Sequence, residues 1–374
     1  MALATITALM VLAFSNGAND NFKGVATLFG SGRSTYRGAL SWATLSTLGG
    51  ALTALAVGGA LAAKFTGKRM VPDALASTPT FALAVATAAA ATILLATRLG
   101  FPVSTTHALI GALIGAGLAN DPTQVHFEAL AHGFVVPLVA SPIVALLLTT
   151  IAWFSMSALQ RRAVLQPDAC VCIETRLQES GATAAGAYAS RSALITPVVT
   201  AAREGCSNSA AATVTARGAL DVLHFFSAGA VGFARGMNDT PKIAALGATL
   251  TAMSGATAAT IVAGTMALGG LLGSRRVANT MSHEITTMNE GQAFAANVVT
   301  AALVGAASFL ALPVSTTHVS VGALFGIGAS GGATRRATIL SILLAWAVTA
   351  PVAVVFAWLI ANALRSYTYG TWFG

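Results

Sequence analysis

Two short stretches place oppositely charged side chains inside otherwise apolar sequence. In NGANDNFK, Asp20 and Lys23 lie three positions apart, and in RGMNDTPK, Asp239 and Lys242 repeat that spacing. Residues at i and i+3 share one face of a helix, so each carboxylate can pair with its ammonium group. Charges in a membrane segment are costly and usually face a partner or a transport pathway. The pairs are therefore either an ion-handling site or structural ion pairs.

Each stretch also carries residues that suit a break in a helix. Gly17 and Gly236 predict a locally unwound backbone, and Asn19 and Asn238 offer amide ligands beside it. The alternative is that ion pairs hold such a break closed for purely structural reasons. Because the same charge pair occurs in both stretches, the functional interpretation is favoured.

A second motif, PVSTTH, also occurs twice, at 102–107 and 313–318. Its proline disfavours helix just before it, so we expect a helix to begin at the hydroxyl residues. The exposed N–H groups and positive end of such a helix form an anion site, to which hydroxyl groups add neutral donors. The hydroxyl residues are Ser104, Thr105, Thr106, Ser315, Thr316 and Thr317. A single copy would more simply bond to its own helix; two identical copies favour the anion site.

One histidine follows each set of hydroxyl groups, His107 in the first copy and His318 in the second. A histidine at such a position more often fixes a turn through a hydrogen bond than performs chemistry. We therefore assign both a positioning role, with proton relay as the alternative.

The two motifs recur in the same order, which indicates a duplicated unit. The offsets are 219 residues for the charged motif (Asp20 to Asp239) and 211 for PVSTTH (His107 to His318). We predict a first membrane repeat at 1–155 and a second at 218–374. Between them, 156–217 is polar and is predicted to be a cytoplasmic loop.

The composition places these motifs in a membrane. Of the 374 residues, 55% are hydrophobic and only 9% are charged, and the mean hydropathy is +0.76. A soluble domain carries about 25% charged residues. The net charge of +8 is expected from basic cytoplasmic loops rather than from nucleic-acid binding. We predict a multi-pass protein of the cell membrane, specifically the bacterial inner membrane.

The expected fold is an all-α polytopic membrane protein with two inverted-topology repeats, discontinuous helices and two re-entrant hairpins. The helices after PVSTTH are short and rich in glycine, so each is predicted to be the second arm of a hairpin. Each half then crosses three times, and this odd number inverts the second half. With the N-terminus outside, most loop arginines fall on the inner side, whereas Lys64, Lys68 and Arg69 fall outside.

The paired motifs resemble those of the inorganic phosphate transporter (PiT) family over both halves, leaving out the central loop. The resemblance implies secondary transport of phosphate, or of sulfate in some relatives, and often a homodimer. It implies that the six hydroxyl residues of the PVSTTH copies bind the anion between them. It also assigns Asn19, Asp20, Asn238 and Asp239 to the anion and coupling-ion site.

The sequence departs from the family pattern at one position in each half. Where the family has a second asparagine three residues after the aspartate, this chain has Lys23 and Lys242. A lysine there would repel Na⁺, and two aspartates with two lysines are already neutral. We therefore expect Na⁺-independent transport, with H⁺ as the coupling ion or with no coupling ion, and no cofactor or metal.

The same residues allow alternatives to phosphate transport. Protonated phosphate needs a hydrogen-bond acceptor that sulfate does not, so lysines that occupy the aspartates weaken discrimination between the two anions. An anion channel or sensor is a further possibility. A membrane-embedded hydrolase using His107 and Asp20 is disfavoured because no HExxH motif occurs, and we predict that the chain is not an enzyme.

Overall fold

In the part of the chain that the structure describes, ten long helices form the membrane part of the molecule. The computed structural model describes residues 1–68, 70–162, 169–179, 191–200, 212–249, 253–331 and 334–370. The helices of the first half are α1 (Ala2–Asp20), α2 (Tyr36–Val57), α3 (Pro79–Leu99), α4 (Thr105–Asn120) and α5 (Val136–Arg162). Those of the second half are α6 (Ala216–Ala244), α7 (Gly255–Gly273), α8 (Glu290–Phe309), α9 (Thr316–Ala329) and α10 (Arg336–Gly370).

Short helical turns connect these elements. They are Asn21–Gly24, Ala26–Gly30, Gly59–Lys64, Asp73–Ala76, Pro122–Gln124, Phe127–Leu130, Ala131–Val135, Ala245–Thr249, Arg275–Asn279 and Thr280–Glu284. The central segment contributes three antiparallel strands, β1 (Cys170–Glu179), β2 (Arg191–Thr200) and β3 (Ala212–Thr215), in the order β2-β1-β3. The prediction of a loop for 156–217 did not include this sheet. Its first strand alternates exposed Val171 and Ile173 with buried cysteines, a pattern that favours a strand.

The two halves have the same contacts and exchange partners with each other. Within the halves, α1 packs on α3 as α6 packs on α8, and α3 contacts α4 as α8 contacts α9. Between the halves, α1 packs on α7 as α6 packs on α2, and α4 packs on α10 as α9 packs on α5. The duplication predicted from the motifs therefore extends to the helix packing, and the halves are interlocked.

The lengths and compositions of the helices match a multi-pass membrane protein. Within the described part of the chain, seven helices are long and apolar enough to cross a membrane: α1, α2, α3, α5, α7, α8 and α10. The helix α6 is 29 residues long but carries the second charged motif. At 16 and 14 residues, α4 and α9 are shorter than the roughly 20 residues that a crossing needs. Large apolar side chains are exposed on the outer helices α5 and α10, as contact with lipid requires.

The sequence predicted an unwound backbone at the glycines of the charged motifs, but the backbone is helical at both positions. Gly17 lies inside α1, which continues to Asp20, and Gly236 lies inside α6, which continues to Ala244. Each glycine instead allows two helices to touch. A Cβ atom on Gly17 would overlap the carbonyl oxygen of Met266 in α7, and one on Gly236 would overlap that of Thr47 in α2.

Substituting Gly17 with alanine tests this contact. We expect Gly17→Ala to destabilise the protein by about 1–3 kcal/mol, because the added methyl group forces apart two backbones. Thermal unfolding of the detergent-solubilised protein measures the effect. The matched control is Gly264→Ala in α7, where nothing lies within 4 Å of the new Cβ. That variant should be neutral or stabilised, since alanine is about 1 kcal/mol better than glycine in a helix. Equal melting temperatures for the two variants would contradict this account.

Candidate functional site

The two PVSTTH copies form tips at which α4 and α9 begin. Ser104 and Ser315 cap these helices in extended conformation, and their hydroxyl oxygens accept the backbone N–H groups of His107 and His318 at 3.2 Å. The expected helix starts are confirmed to within one residue. The serine hydroxyls stabilise the helix ends that point their N–H groups into the centre of the molecule.

The two tips are tied to each other by threonines. Thr106 donates to the carbonyl oxygen of Val314 at 3.2 Å, and Thr317 donates to that of Val103 at 2.7 Å. The rings of His107 and His318 lie against each other with centroids 4.6 Å apart. The structure therefore brings the two copies of the motif into direct contact, although they are separated by 211 residues in the sequence.

Each lysine joins its own aspartate to the opposite tip. Lys23 pairs with Asp20 and donates to the hydroxyl of Thr317 at 2.5 Å and to the carbonyl of Val103 at 2.9 Å. In the other half the ion pair is longer, and the contacts with the threonine hydroxyl and the tip carbonyl are equivalent.

Lys242 lies 3.5 Å from Asp239 and donates to the hydroxyl of Thr106 at 2.9 Å and to the carbonyl of Val314 at 2.7 Å. Both ammonium groups therefore lie between the tips, within reach of any anion that binds there.

The predicted asparagines hold the tips in place. Asn19 accepts from Lys23 and from the N–H of Val103, both at 3.0 Å, and donates to Thr97 and to the carbonyl of Phe101. All the hydrogen-bonding groups of its amide are thus occupied.

Asn238 also contacts the tip of its own half, through a different set of hydrogen bonds. It accepts from Ser308 at 3.3 Å and donates to the carbonyl of Val314 at 3.4 Å and to Asp239. In this conformation both asparagines position the tip backbone.

The aspartates converge on a residue that the sequence did not single out. The amide of Asn16 donates to Asp20 at 3.2 Å, to Asp239 at 3.3 Å and to Thr105 at 2.8 Å. Asn16 thereby joins both carboxylates to the first tip. Thr316, the counterpart of Thr105 in the second tip, is also buried.

A buried arginine is the second residue that the sequence prediction missed. Arg235 occupies the position equivalent to Asn16 in the second half, and its guanidinium donates to the side-chain oxygen of Asn16 at 2.7 Å. It also donates to Asn21 and Thr47 and lies 3.6 Å from Asp239. A charged residue four positions before Asp239 in an apolar helix was the available signal.

The site therefore carries a net positive charge rather than the predicted neutrality. Among the described residues, three cations (Lys23, Lys242 and Arg235) face two carboxylates (Asp20 and Asp239). All five side chains are at most 3% exposed. A buried excess of one positive charge favours an anion strongly, since the alternative is an uncompensated charge away from water.

The comparisons with known proteins give the family of this chain. The model of the phosphate transporter family matches residues 16–357, which include both tips and both charged motifs. The chain belongs to the phosphate transporter family. Members of this family are permeases rather than enzymes.

Relatives within the family cover nearly the whole chain. A putative phosphate permease of Haemophilus influenzae is 28% identical over 97% of both chains. An inorganic phosphate transporter of Arabidopsis thaliana chloroplasts is 26% identical over 97% of this chain and 73% of its own length. A solved structure described as the sodium-dependent phosphate transporter has a TM-score of 0.73 at 20% identity, covering 97% of this chain and 98% of its own. It shows that the folds are alike.

Replacing Arg235 with asparagine, the residue at the equivalent position 16, tests whether the excess positive charge contributes to phosphate binding. We expect Arg235→Asn to weaken phosphate binding by at least about tenfold, or about 1.4 kcal/mol, because the site becomes neutral. Calorimetric titration of the solubilised protein measures binding, and thermal unfolding checks that the variant is folded. The control is Arg275→Asn on the surface, which should bind as the wild type does. Unchanged binding by a folded Arg235→Asn variant would contradict the role of the charge.

Proposed function

We propose that this protein is a secondary transporter of inorganic phosphate that works by alternating access and does not require Na⁺. The observation that carries the proposal is the meeting of two tips with two lysines in a buried cluster of net charge +1. The anion would bind between the Ser-Thr-Thr segments of the two tips.

The donors needed by a phosphate are already gathered at the centre. Lys23 and Thr317 both donate to the carbonyl oxygen of Val103, and Lys242 and Thr106 both donate to that of Val314. Two neutral carbonyl oxygens thus occupy four donors. Phosphate oxygens carry more charge and are stronger acceptors, so a bound anion would take over these donors. In doing so it would release the ties between the tips.

The helix packing supports hairpins that enter from opposite faces, and hence inverted repeats. The last turn of α4 ends beside the end of α10, where Arg365 donates to the carbonyl of Ala119. The last turn of α9 ends beside the start of α10, where Thr334 lies against Gly328. Because α10 is long enough to cross the membrane, these contacts support a course of α4 and α9 from the centre to opposite faces. Such an arrangement suits alternating access.

The lysines leave little place for Na⁺ beside the aspartates. The oxygens of Asp20 face Lys23, Asn16 and Thr105, and those of Asp239 face Lys242, Arg235 and amide groups. A cation added here would meet three fixed positive charges and no free carboxylate oxygen among the described residues. The donor set does not fit Na⁺, which supports coupling to H⁺ or uncoupled transport.

Location and assembly complete the proposal. The arginines near one face, such as Arg33 and Arg335, would place that face in the cytoplasm of a bacterial inner membrane. A homodimer is carried over from the resemblance. Light scattering of the solubilised protein tests the dimer.

Uptake of labelled phosphate into proteoliposomes tests the ion requirement. We expect the same uptake when Na⁺ is replaced by choline, because Lys23 and Lys242 supply the positive charge that Na⁺ would bring. A pH gradient should change the rate if H⁺ is coupled. A strict requirement for Na⁺ would overturn this part of the proposal.

The converse variant removes both lysine charges. We expect the double substitution Lys23→Asn and Lys242→Asn to make uptake dependent on Na⁺, because each aspartate then gains a neutral amide neighbour and free oxygens. A double variant that transports equally well in choline would show that the lysines do not replace a cation. Lys68→Asn at an exposed position is the matched control and should retain the ion dependence of the wild type.

Sulfate transport is a second candidate, favoured by one observation. Both oxygens of Asp20 already accept hydrogen bonds, so neither is free to accept the O–H of protonated phosphate. Discrimination against sulfate is therefore weak at this carboxylate. Competition of unlabelled sulfate against labelled phosphate decides between the candidates. Strong competition would support a broader tetrahedral oxyanion permease, and its absence would support phosphate alone.

A further inference from the structure

A second cluster of buried polar side chains lies beside the site. Thr27 and Asn297 are hydrogen-bonded to each other at 2.9–3.1 Å. His224 contacts the hydroxyl of Thr27 at 3.1 Å, and Asn297 donates to Ser227 at 3.3 Å. All four are buried. Neither the motifs nor the binding site accounts for this cluster.

The cluster connects the site to one face of the molecule. At its inner end a small void separates it from the binding site; the polar residues lining this void are Lys23, Thr27, Asn297, Thr300 and Ser320. At its outer end, one turn before His224, Asp221 pairs with Arg33 at 3.1 Å. Arg33 also pairs with Glu290. These three charged side chains are 23–35% exposed, so this end of the cluster is in contact with water.

At the equivalent positions of the other half, the described residues are apolar with one exception, Thr5, the buried counterpart of His224. At the motif offsets, Thr27 corresponds to Leu246, Asn297 to Ala86 and Ser320 to Leu109. Ser227 and Thr300 likewise correspond to alanines, at positions 8 and 89. These five counterparts belong to one buried apolar cluster. Five of the six path positions are thus polar on one side of the site and apolar on the other.

The chemistry of the path suits an anion. Between Lys23 and the ion pairs at the surface, the polar groups are hydroxyls, one amide and one imidazole, without a carboxylate. The hydroxyl of Ser320 and Nδ1 of His224 are buried and have no hydrogen-bond partner within the described residues. Unpartnered buried groups are costly unless another molecule satisfies them at some stage.

We propose that this path, formed by Thr27, His224, Ser227, Asn297, Thr300 and Ser320, carries the anion between the binding site and the face that bears Arg33. The ion pairs of Arg33 with Asp221 and Glu290 close its outer end. The apolar counterpart seals the opposite side in the conformation described. The inference rests on the proposed function, because it takes the passing molecule to be a tetrahedral oxyanion.

Converting the path to its apolar counterpart tests the role of the polar groups in transport. Asn297→Ala copies Ala86 and should slow phosphate uptake by at least about tenfold, since the lost donors raise the barrier for a desolvated anion. Phosphate binding to the solubilised variant should be retained, because Asn297 lies outside the site. The control is Thr92→Ala, a buried threonine that donates to the carbonyl of Ala88 in its own helix. Uptake by Asn297→Ala at the rate of the control would overturn the proposal.

Thiol accessibility tests the route without relying on transport. In a variant whose three native cysteines are replaced, Thr300→Cys and its counterpart Ala89→Cys are treated with a membrane-impermeant thiol reagent from the Arg33 face. We expect Thr300→Cys to react at least about tenfold faster than Ala89→Cys, and Arg33→Ala to accelerate its reaction further. Equal rates at the two positions would overturn the proposed route.

The two proposals fail in distinguishable ways. A wild-type protein that takes up neither phosphate nor sulfate overturns the proposed function, whatever the thiol rates. Wild-type uptake together with normal uptake by Asn297→Ala overturns only the path.

Discussion

Two lysine ammonium groups hold the centre of this protein together. Each is paired with the aspartate three residues before it and donates to the tip of the opposite half, so both halves meet through Lys23 and Lys242. Their burial is tolerable only because every donor has a partner. Together with the threonines that link the tips, these lysines hold the two copies of the motif in contact. An anion that competes for the lysines therefore acts on the whole interface between the halves.

The helices of the two halves pack in the same way, whereas some side chains in and beside the site differ between the halves. Asn16 and Arg235 occupy equivalent positions and bind each other, so one extra positive charge serves a site shared by both halves. The polar cluster around Asn297 likewise faces an apolar counterpart around Ala86. In the proposed route, this unequal filling gives the two sides of the site different barriers in the conformation described.

Much of the fold and of the site could be predicted from the sequence. The repeated PVSTTH and the Asp-Lys spacing identified the tips, the charge pairs and the family, because short-range patterns determine helix starts and i,i+3 pairs. Long-range pairings could not be predicted. Nothing local shows that Lys23 reaches Thr317, or that Asn16 joins both carboxylates. Gly17 was misinterpreted because a glycine that permits helix contact and one that permits unwinding look the same in a sequence, and the sheet of the central segment was missed.

The exchange of partners between the halves has a consequence for biosynthesis. The chain is made from its N-terminus, so α1 and α2 enter the bilayer before α6 and α7 exist. During that interval Gly17 has no α7 packed against it, and Asp20 lacks Asp239 and Arg235 as neighbours. The spacing of Asp20 and Lys23 then lowers the cost of placing this stretch in lipid. Because the two residues pair within one segment, their charges cancel before the second half is made.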